Sequence, residues 1–457
     1  MRLAVVLGLV AFAVYLGSFR TIQSIDSNTN ALLAYSLVRD HDAYLDEYSA
    51  DRARISYWSF PVGGHEVAPY PPGAALLATP VVALGALAGI VPPQAAAITI
   101  VAKAAGALAA AGSVVFVFLL AARTAGRRLG LVVAALYAFG TVTWPISGGA
   151  LWQHGPAQLF LSMGLLWLHP ATPPRWRARS GLAFGLATIC RLTDGAFALA
   201  AFAYVVLTRR RLLSRFVWWA IPSALLLLGY DWAVLGDPLD LRYLAFNFAK
   251  DGGDKNLLLG LAGNLFAPDR GLFVYSPFLL FAAYELVRRA GRRDRLAAYL
   301  RPQLLAAVAL LTLYAASVDW WGGYGYGNRY LADALPLLSL GLALWLRRSW
   351  RHLWARAALA VTGATSVFVF ALGALVYDWA GWSWETRRAV PQAALQWTLD
   401  PAQILYTAAN ARFDGVTMVS VTLAAAAGLF LVRLWMVSGP KRPAARGERR
   451  AGALRPA

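Results

Sequence analysis

The chain has 457 residues, of which 59% are hydrophobic and only 14% charged, where a soluble domain carries about a quarter charged residues. That balance excludes a soluble globular fold and points to a polytopic membrane protein. The net charge of +19 would suggest nucleic acid in a soluble chain, but Lys and Arg fall here in short clusters between apolar runs, as in cytoplasmic loops that orient a helix bundle, so nucleic acid is not an expected partner. The single cysteine, Cys190, lies inside an apolar run, which excludes an intramolecular disulfide and a cysteine metal cluster.

In chain order, the run from Leu3 to Phe19 is long enough to cross a bilayer at about 1.5 Å per residue. It reads as a retained span and not as a cleaved leader. A polar stretch follows, Ser24-Ile25-Asp26-Ser27-Asn28-Thr29-Asn30, and opens a loop that closes on Tyr70-Pro71-Pro72-Gly73. Seven of the 23 acidic residues lie between Asp26 and Glu66. Basic clusters at Arg123 to Arg128, Arg175 to Arg179, Arg209 to Arg215, Arg288 to Arg301, Arg347 to Arg356 and from Lys441 onward are expected in the cytoplasm. Parity then requires that one of the two apolar runs after Gly73 fails to cross. Ala74 to Val91, with Pro80 inside and Pro92-Pro93 at its end, is expected as an interfacial or re-entrant helix of the first external loop.

Between two basic clusters, Ser180 to Thr208 is too short for two full spans and yet must return to the side where it began. Two short helices meeting at Cys190-Arg191-Leu192-Thr193-Asp194-Gly195 satisfy that condition, provided that the break lies in protein or lines a wet cavity. Further crossings are expected at 95–122, 129–145, 155–168, 216–235, 272–287, 303–318, 330–346, 357–377 and 416–436. The expected fold class is all-α, a polytopic transmembrane bundle of about twelve crossings. It divides into a module over 1–235 with its first external loop at 20–93, a second over 236–437 with external loops at 236–271, 319–329 and 378–415, and a basic cytoplasmic tail, 438–457, expected to be disordered.

Chemistry is expected on the extracytoplasmic face, where the polar residues collect. Asp26 stands at the outer end of the first span; it, or Ser27, reads either as the cap of a helix starting near Asn28 or as a catalytic carboxylate. Arg191 in an apolar run requires a partner, either Asp194 three residues on or a substrate phosphate. Lys103 reads as a snorkelling lysine or a further phosphate ligand, and His154 as an interface residue or a substrate contact. The stretch Trp320-Trp321-Gly322-Gly323-Tyr324-Gly325-Tyr326-Gly327-Asn328-Arg329-Tyr330 exceeds what an aromatic belt requires. Its glycines permit close backbone approach, Trp321 and Tyr324 offer rings for a sugar, and Tyr70, Asn328 and Arg329 complete the candidate set. Asp40-His41-Asp42 reads as loop chemistry, and no metal site is expected.

These features together, the acid after the first span, the Tyr-Pro-Pro-Gly closure, the broken helix carrying Arg191 and the Trp-Trp-Gly-Gly-Tyr-Gly-Tyr-Gly-Asn-Arg-Tyr-Leu element, resemble the GT-C glycosyltransferases, in particular the protein O-mannosyltransferase and aminoarabinose transferase branch. The resemblance implies a multi-pass cell-membrane enzyme that moves a sugar from a polyprenyl-phosphate donor to a hydroxyl of a protein, lipid or polysaccharide acceptor, with inversion. It implies Asp26 as the base and Arg191, joined by Arg329 and Lys103, at the donor phosphate, with no cofactor beyond the lipid-linked donor. Where that family often has Asp-Glu, this chain has Asp26-Ser27, and His154 stands where the family often has an acid. A flippase of lipid-linked sugars and a glycan polymerase or ligase are the alternative readings.

Overall fold

The computed structural model describes residues 1–22, 24–92, 94–248, 256–317, 319–386, 396–399 and 402–438. The tail from Lys441 and the middle parts of the loops expected at 236–271 and 378–415 lie outside the described residues. The chain is mostly helical. Among the described residues, six helices are long and apolar enough to cross a membrane, at Ile100–Ala125, Arg210–Leu235, Arg295–Ala315, Arg329–Ser349, Leu353–Leu375 and Gly415–Val437. Several other expected crossings are shorter helices: α1 (Arg2–Gly17) has 16 residues, α5 (Arg127–Phe139) 13 and α6 (His154–Leu168) 15. A full span takes about 20, so length alone supports six crossings and not the expected dozen.

α1 lies along α4 (Ala95–Ala125), which turns back into α5 at Gly126, whose φ of 89° suits glycine. After three short helices, α10 (Arg242–Phe248), α11 (Leu257–Phe266) and α12 (Leu272–Tyr275), the inward faces of α1, α4 and α5 meet α13 (Leu279–Ala290), α15 (Leu335–Ser349) and α16 (Leu353–Leu375) in one core, where Tyr15, Val133, Tyr275 and Trp345 belong to the same buried cluster. A second cluster joins α6, α7 (Pro174–Cys190), α8 (Gly195–Thr208) and α14 (Arg295–Ala315). Residues from both halves of the sequence share each core. α9 (Leu213–Tyr230) and the last helix, Gly415–Val437, leave most of their apolar side chains exposed, as helices facing lipid do.

The first loop is ordered. α2 (Ile25–Tyr35) buries Ala31, Leu32, Leu33 and Tyr35 against α3 (Gly73–Leu87) and α4. A short antiparallel hairpin, β1 (Phe60–Val62) and β2 (His65–Val67), pairs Phe60 with Val67 and Val62 with His65, turning through Gly63 and Gly64 at positive φ. The break between α7 and α8 is real: Arg191 is extended, with φ −155° and ψ 113°, and a single 3-10 turn, Leu192–Asp194, leads into α8.

Gly73 fastens the first loop to that break. A Cβ on Gly73 would lie 2.6 Å from the Cys190 amide nitrogen and 2.5 Å from the Ile189 carbonyl oxygen, backbone atoms that have no room to yield. Gly73→Val is therefore expected to destabilise the protein by about 1 to 3 kcal/mol, the range for overpacked sites, and to lower the melting temperature in detergent. An unchanged melting temperature would show that α3 does not seat against the break.

Candidate active site

Asp26 reaches its position because another residue caps its helix. Ser24 is the N-cap of α2: its hydroxyl accepts from the amides of Asp26 (3.1 Å) and Ser27 (3.4 Å), and Ser27 Oγ in turn receives the Ser24 amide at 3.0 Å. The helix thus starts three residues before Asn28, and the Asp26 carboxylate is not used in capping. One of its oxygens accepts from the Tyr70 hydroxyl at 2.6 Å and the other from Arg329 Nη1 at 2.8 Å. Tyr70 is held by its sequence: Pro71 and Pro72 fix the backbone, and Gly73 seats against the α7–α8 break.

Arg329 comes from the glycine-rich loop. Its Nε donates to the Gly322 carbonyl at 2.6 Å and its guanidinium lies 4.6 Å from the Trp152 ring centroid. Gly322, Gly323 and Gly327 have φ of 81°, 71° and 70°, so these glycines serve to turn the chain where other residues would be strained. The turn aims carbonyls at guanidinium groups. Arg270 donates to the carbonyls of Trp321 and Gly323 while paired with Asp269 at 2.9 Å, and Gln403 brackets the loop through the Gly325 carbonyl (2.8 Å) and Gly327 amide (2.9 Å).

A second charged group lies deeper. Arg191, at the helix break, pairs with Asp333 and donates to the Tyr314 hydroxyl and, at 3.0 Å, to His154 Nδ1. Because Nδ1 accepts from Arg191, the neutral tautomer that fits has its proton on Nε2. Asp333 is fully buried, and both oxygens of the nearby buried Asp194 have no hydrogen-bond partner. The expected i,i+3 partnership of Arg191 with Asp194 is thus not the contact made; the partner comes from another segment, 142 residues away. Tyr314 stacks on Tyr330 at 4.2 Å, linking the two guanidinium groups through a pair of rings.

These groups enclose a cavity of about 310 Å³ lined by Asp26, Tyr70, His154, Arg191, Trp321, Tyr324 and Arg329, together with Trp58, Trp152, Tyr243, Tyr314 and Asp319. Its lining is largely aromatic and includes the carboxylates of Asp26 and Asp319 and the guanidinium groups of Arg191 and Arg329. Burial pushes the Asp26 carboxyl up, but Arg329 and the Tyr70 hydroxyl more than offset this and hold it below the ordinary carboxylate value. Burial and the charge of Asp26 raise the Tyr70 phenol well above its ordinary value, so it remains a donor. At neutral pH Asp26 is an anion, with 29% of its side-chain surface exposed.

The backbone path that builds this cavity has a match among solved structures. ArnT from Cupriavidus metallidurans in the apo state superposes on 95% of this chain and 77% of its own with a TM-score of 0.52, at 15% sequence identity. The chain shares the fold of that protein. Two structures of the Archaeoglobus fulgidus oligosaccharyltransferase, one tethered with an acceptor peptide and one in complex with an inhibitory peptide and a dolichol-phosphate, match at 12% identity and TM-scores of 0.45 and 0.43. The chain spans 59% and 60% of their lengths. No family model and no curated protein sequence matches the chain.

Of the candidates read from sequence, the fold brings seven to one cavity: Asp26, Arg191, Arg329, His154, Tyr70, Trp321 and Tyr324. Two others lie elsewhere. Lys103 is buried at the end of α1, donating to Ser18 Oγ at 2.7 Å and the Arg20 carbonyl at 2.6 Å, where it ties α4 to the chain leaving α1. Asn328 caps the turn that follows it through the Leu331 amide and donates to Asn264, away from the cavity. Sequence reasoning missed Asp333, Tyr314 and Tyr243. Asp333 left a signal: an acid three residues into an apolar run expected to cross is expensive unless paired, and Arg191 was the cation in need of a partner.

Proposed function

We propose that the chain is an integral membrane glycosyltransferase that moves a sugar from a polyprenyl-phosphate donor to an acceptor hydroxyl on the extracytoplasmic face, with inversion. The observation that carries this reading is the meeting of Asp26 and Arg329, 303 residues apart in sequence, at 2.8 Å on the wall of an aromatic cavity. A carboxylate held ionised suits a base for the entering hydroxyl, and the guanidinium beside it suits a cation that reaches toward the phosphate departing from the other face. The acceptor hydroxyl enters opposite the donor phosphate. Its oxygen attacks the anomeric carbon as the bond from that carbon to the phosphate oxygen breaks; Asp26 takes the hydroxyl proton, and the electron pair leaves with the polyprenyl phosphate.

Arg329 has its remaining N–H groups for the developing phosphate charge, and Arg191, oriented by Asp333 and Tyr314, approaches from the floor. Fixed cations of this kind lower the barrier because they need no reorganisation as charge develops. Trp321 and Tyr324, packed edge to face at 5.6 Å, give the sugar an apolar wall. Arg329 and Arg191 are the cations that this reading sets at the phosphate, and it routes no step through a metal.

The test is transfer of radiolabelled sugar in membranes containing the protein, with polyprenyl-phosphate sugars and nucleotide sugars offered separately. Transfer is expected from the lipid-linked donors alone; transfer from the nucleotide sugar in extracts stripped of lipid carrier would overturn the reading.

A pH profile adds a second check. Because the Asp26 carboxyl is held below its ordinary value, the base is in its active form throughout the neutral range, and its contribution is lost only as pH falls through that depressed value. The single-turnover rate is expected to be flat from about pH 5 upward until another group titrates. A rise in rate between pH 5 and 7 would assign the base to a group other than Asp26.

A further inference from the structure

A second cavity, of about 470 Å³, lies at the opposite end of α8 from Arg191, between the end of that helix and the turn that joins α13 to α14. α8 has 14 residues, which separates the cavity from the helix break by about 20 Å. Its wall carries Arg209, Arg293, Arg295 and Arg301, with Tyr204 behind them. Asp294 is the acid among the lining residues, and its charge is already engaged: it caps α14 through the amides of Leu296 (3.0 Å) and Ala297 (2.9 Å), and pairs with Arg289 at 2.6 Å. A further guanidinium, Arg177, is close enough to Arg209 and Arg295 to feel their charge.

Loop arginines orient a membrane protein without converging. Here two segments far apart in sequence bring them around one hollow. Like charges so gathered repel one another, and burying a polar N–H or O–H without a partner costs free energy. Yet the Nε of Arg177, the Nε of Arg209 and the hydroxyl of Tyr204 are all buried and without a hydrogen-bond partner, and Tyr204 is 1% exposed.

We propose that this cavity binds a phosphate-bearing anion presented by a membrane lipid. Guanidinium groups match phosphate oxygens in geometry as well as charge, and the Tyr204 hydroxyl supplies a neutral donor at the back. The lipid source follows from the neighbouring surface: Leu207, next in sequence to the lining residue Thr208 at the end of α8, is 74% exposed, an apolar surface of the kind that acyl chains cover. A basic pocket between helix ends suits an anionic headgroup. This site is independent of the sugar-transfer reading, since it shares no residue with the first cavity.

The test uses the purified full-length protein in nanodiscs of phosphatidylcholine, with and without phosphatidylglycerol, and in phosphatidylcholine nanodiscs with inorganic phosphate, following melting temperature and bound lipid by native mass spectrometry. Phosphatidylglycerol is expected to raise the melting temperature and to remain bound. R209Q/R295Q is expected to weaken its retention about ten-fold or more, from the loss of charge-assisted hydrogen bonds, whereas R127Q/R433Q, which removes two exposed arginines outside the cavity, leaves it unchanged. Tyr204→Phe, which keeps every charge and serves if the double variant folds poorly, is expected to weaken retention a few-fold. Stabilisation by inorganic phosphate equal to that by the lipid would support the phosphate site and overturn the lipid as its source. Retention unaltered in both cavity variants, or lost equally in R127Q/R433Q, would overturn the proposal.

Discussion

Asp26→Asn is expected to lower sugar transfer by about 10² to 10⁴, the usual contribution of a positioned general base, while leaving the melting temperature within a few degrees. The amide has the shape of the carboxylate, so Tyr70 keeps an oxygen to donate to, and the Ser24 cap that sets the start of α2 does not involve the Asp26 side chain. What is lost is a proton acceptor and the partner of Arg329. The two losses are separable by comparison with Arg329→Gln, which leaves the carboxylate in place and removes a cation from the phosphate; it should raise the apparent KM for donor as well as lower kcat. Asp319, a second carboxylate that lines the cavity, provides the control. If Asp319→Asn abolishes transfer and Asp26→Asn retains most of it, the base has been assigned to the wrong carboxylate.

The second large effect concerns stability. Arg191 and Asp333 are an ion pair with almost no solvent contact, and removing one member of such a pair leaves a bare charge in a medium that cannot solvate it. Asp333→Leu is expected to destabilise the protein by about 3 to 5 kcal/mol, read as a lower melting temperature and poor recovery from detergent extracts. The double variant Arg191→Met/Asp333→Leu replaces both charges with apolar groups and should regain most of that loss. It should not regain activity if Arg191 meets the donor phosphate. Recovery of transfer along with stability would return Arg191 to a purely structural role. Asp194, by contrast, has no hydrogen bond to lose, so Asp194→Asn is expected to alter stability far less than Asp333→Leu.

Much of this site was legible in the sequence because membrane chains place charge under strict penalty. Arg191 in an apolar run, Asp26 after the first span and Arg329 after a run of glycines each stood out against their surroundings, and the fold brings all three to one cavity. The helix break at Arg191 was equally legible, since a segment too short to cross twice and flanked by basic clusters has few other solutions. What the sequence hid is pairing. An isolated Asp333 and an isolated Arg191 carry no mark of each other across 142 positions, so only the nearer Asp194 and a substrate phosphate stood as partners. Lys103 and Asn328 were misplaced for a related reason: a polar residue near a helix end looks alike whether it meets substrate or, as here, a neighbouring backbone carbonyl. The start of α2 lies three residues before the expected one because Ser24 and Ser27 form a reciprocal box and Asp26, a good cap by type, stands between them.

The bond between Asp26 and Arg329 has a consequence for biosynthesis. Its halves lie near the beginning of the chain and more than two thirds of the way along it, so a ribosome must deliver most of the helices before the pair can close. Until then the first loop has an acid without its counter-ion, and any partly made product lacks a working centre. Under the proposed sugar-transfer reading, completion of the later helices is therefore a precondition for turnover.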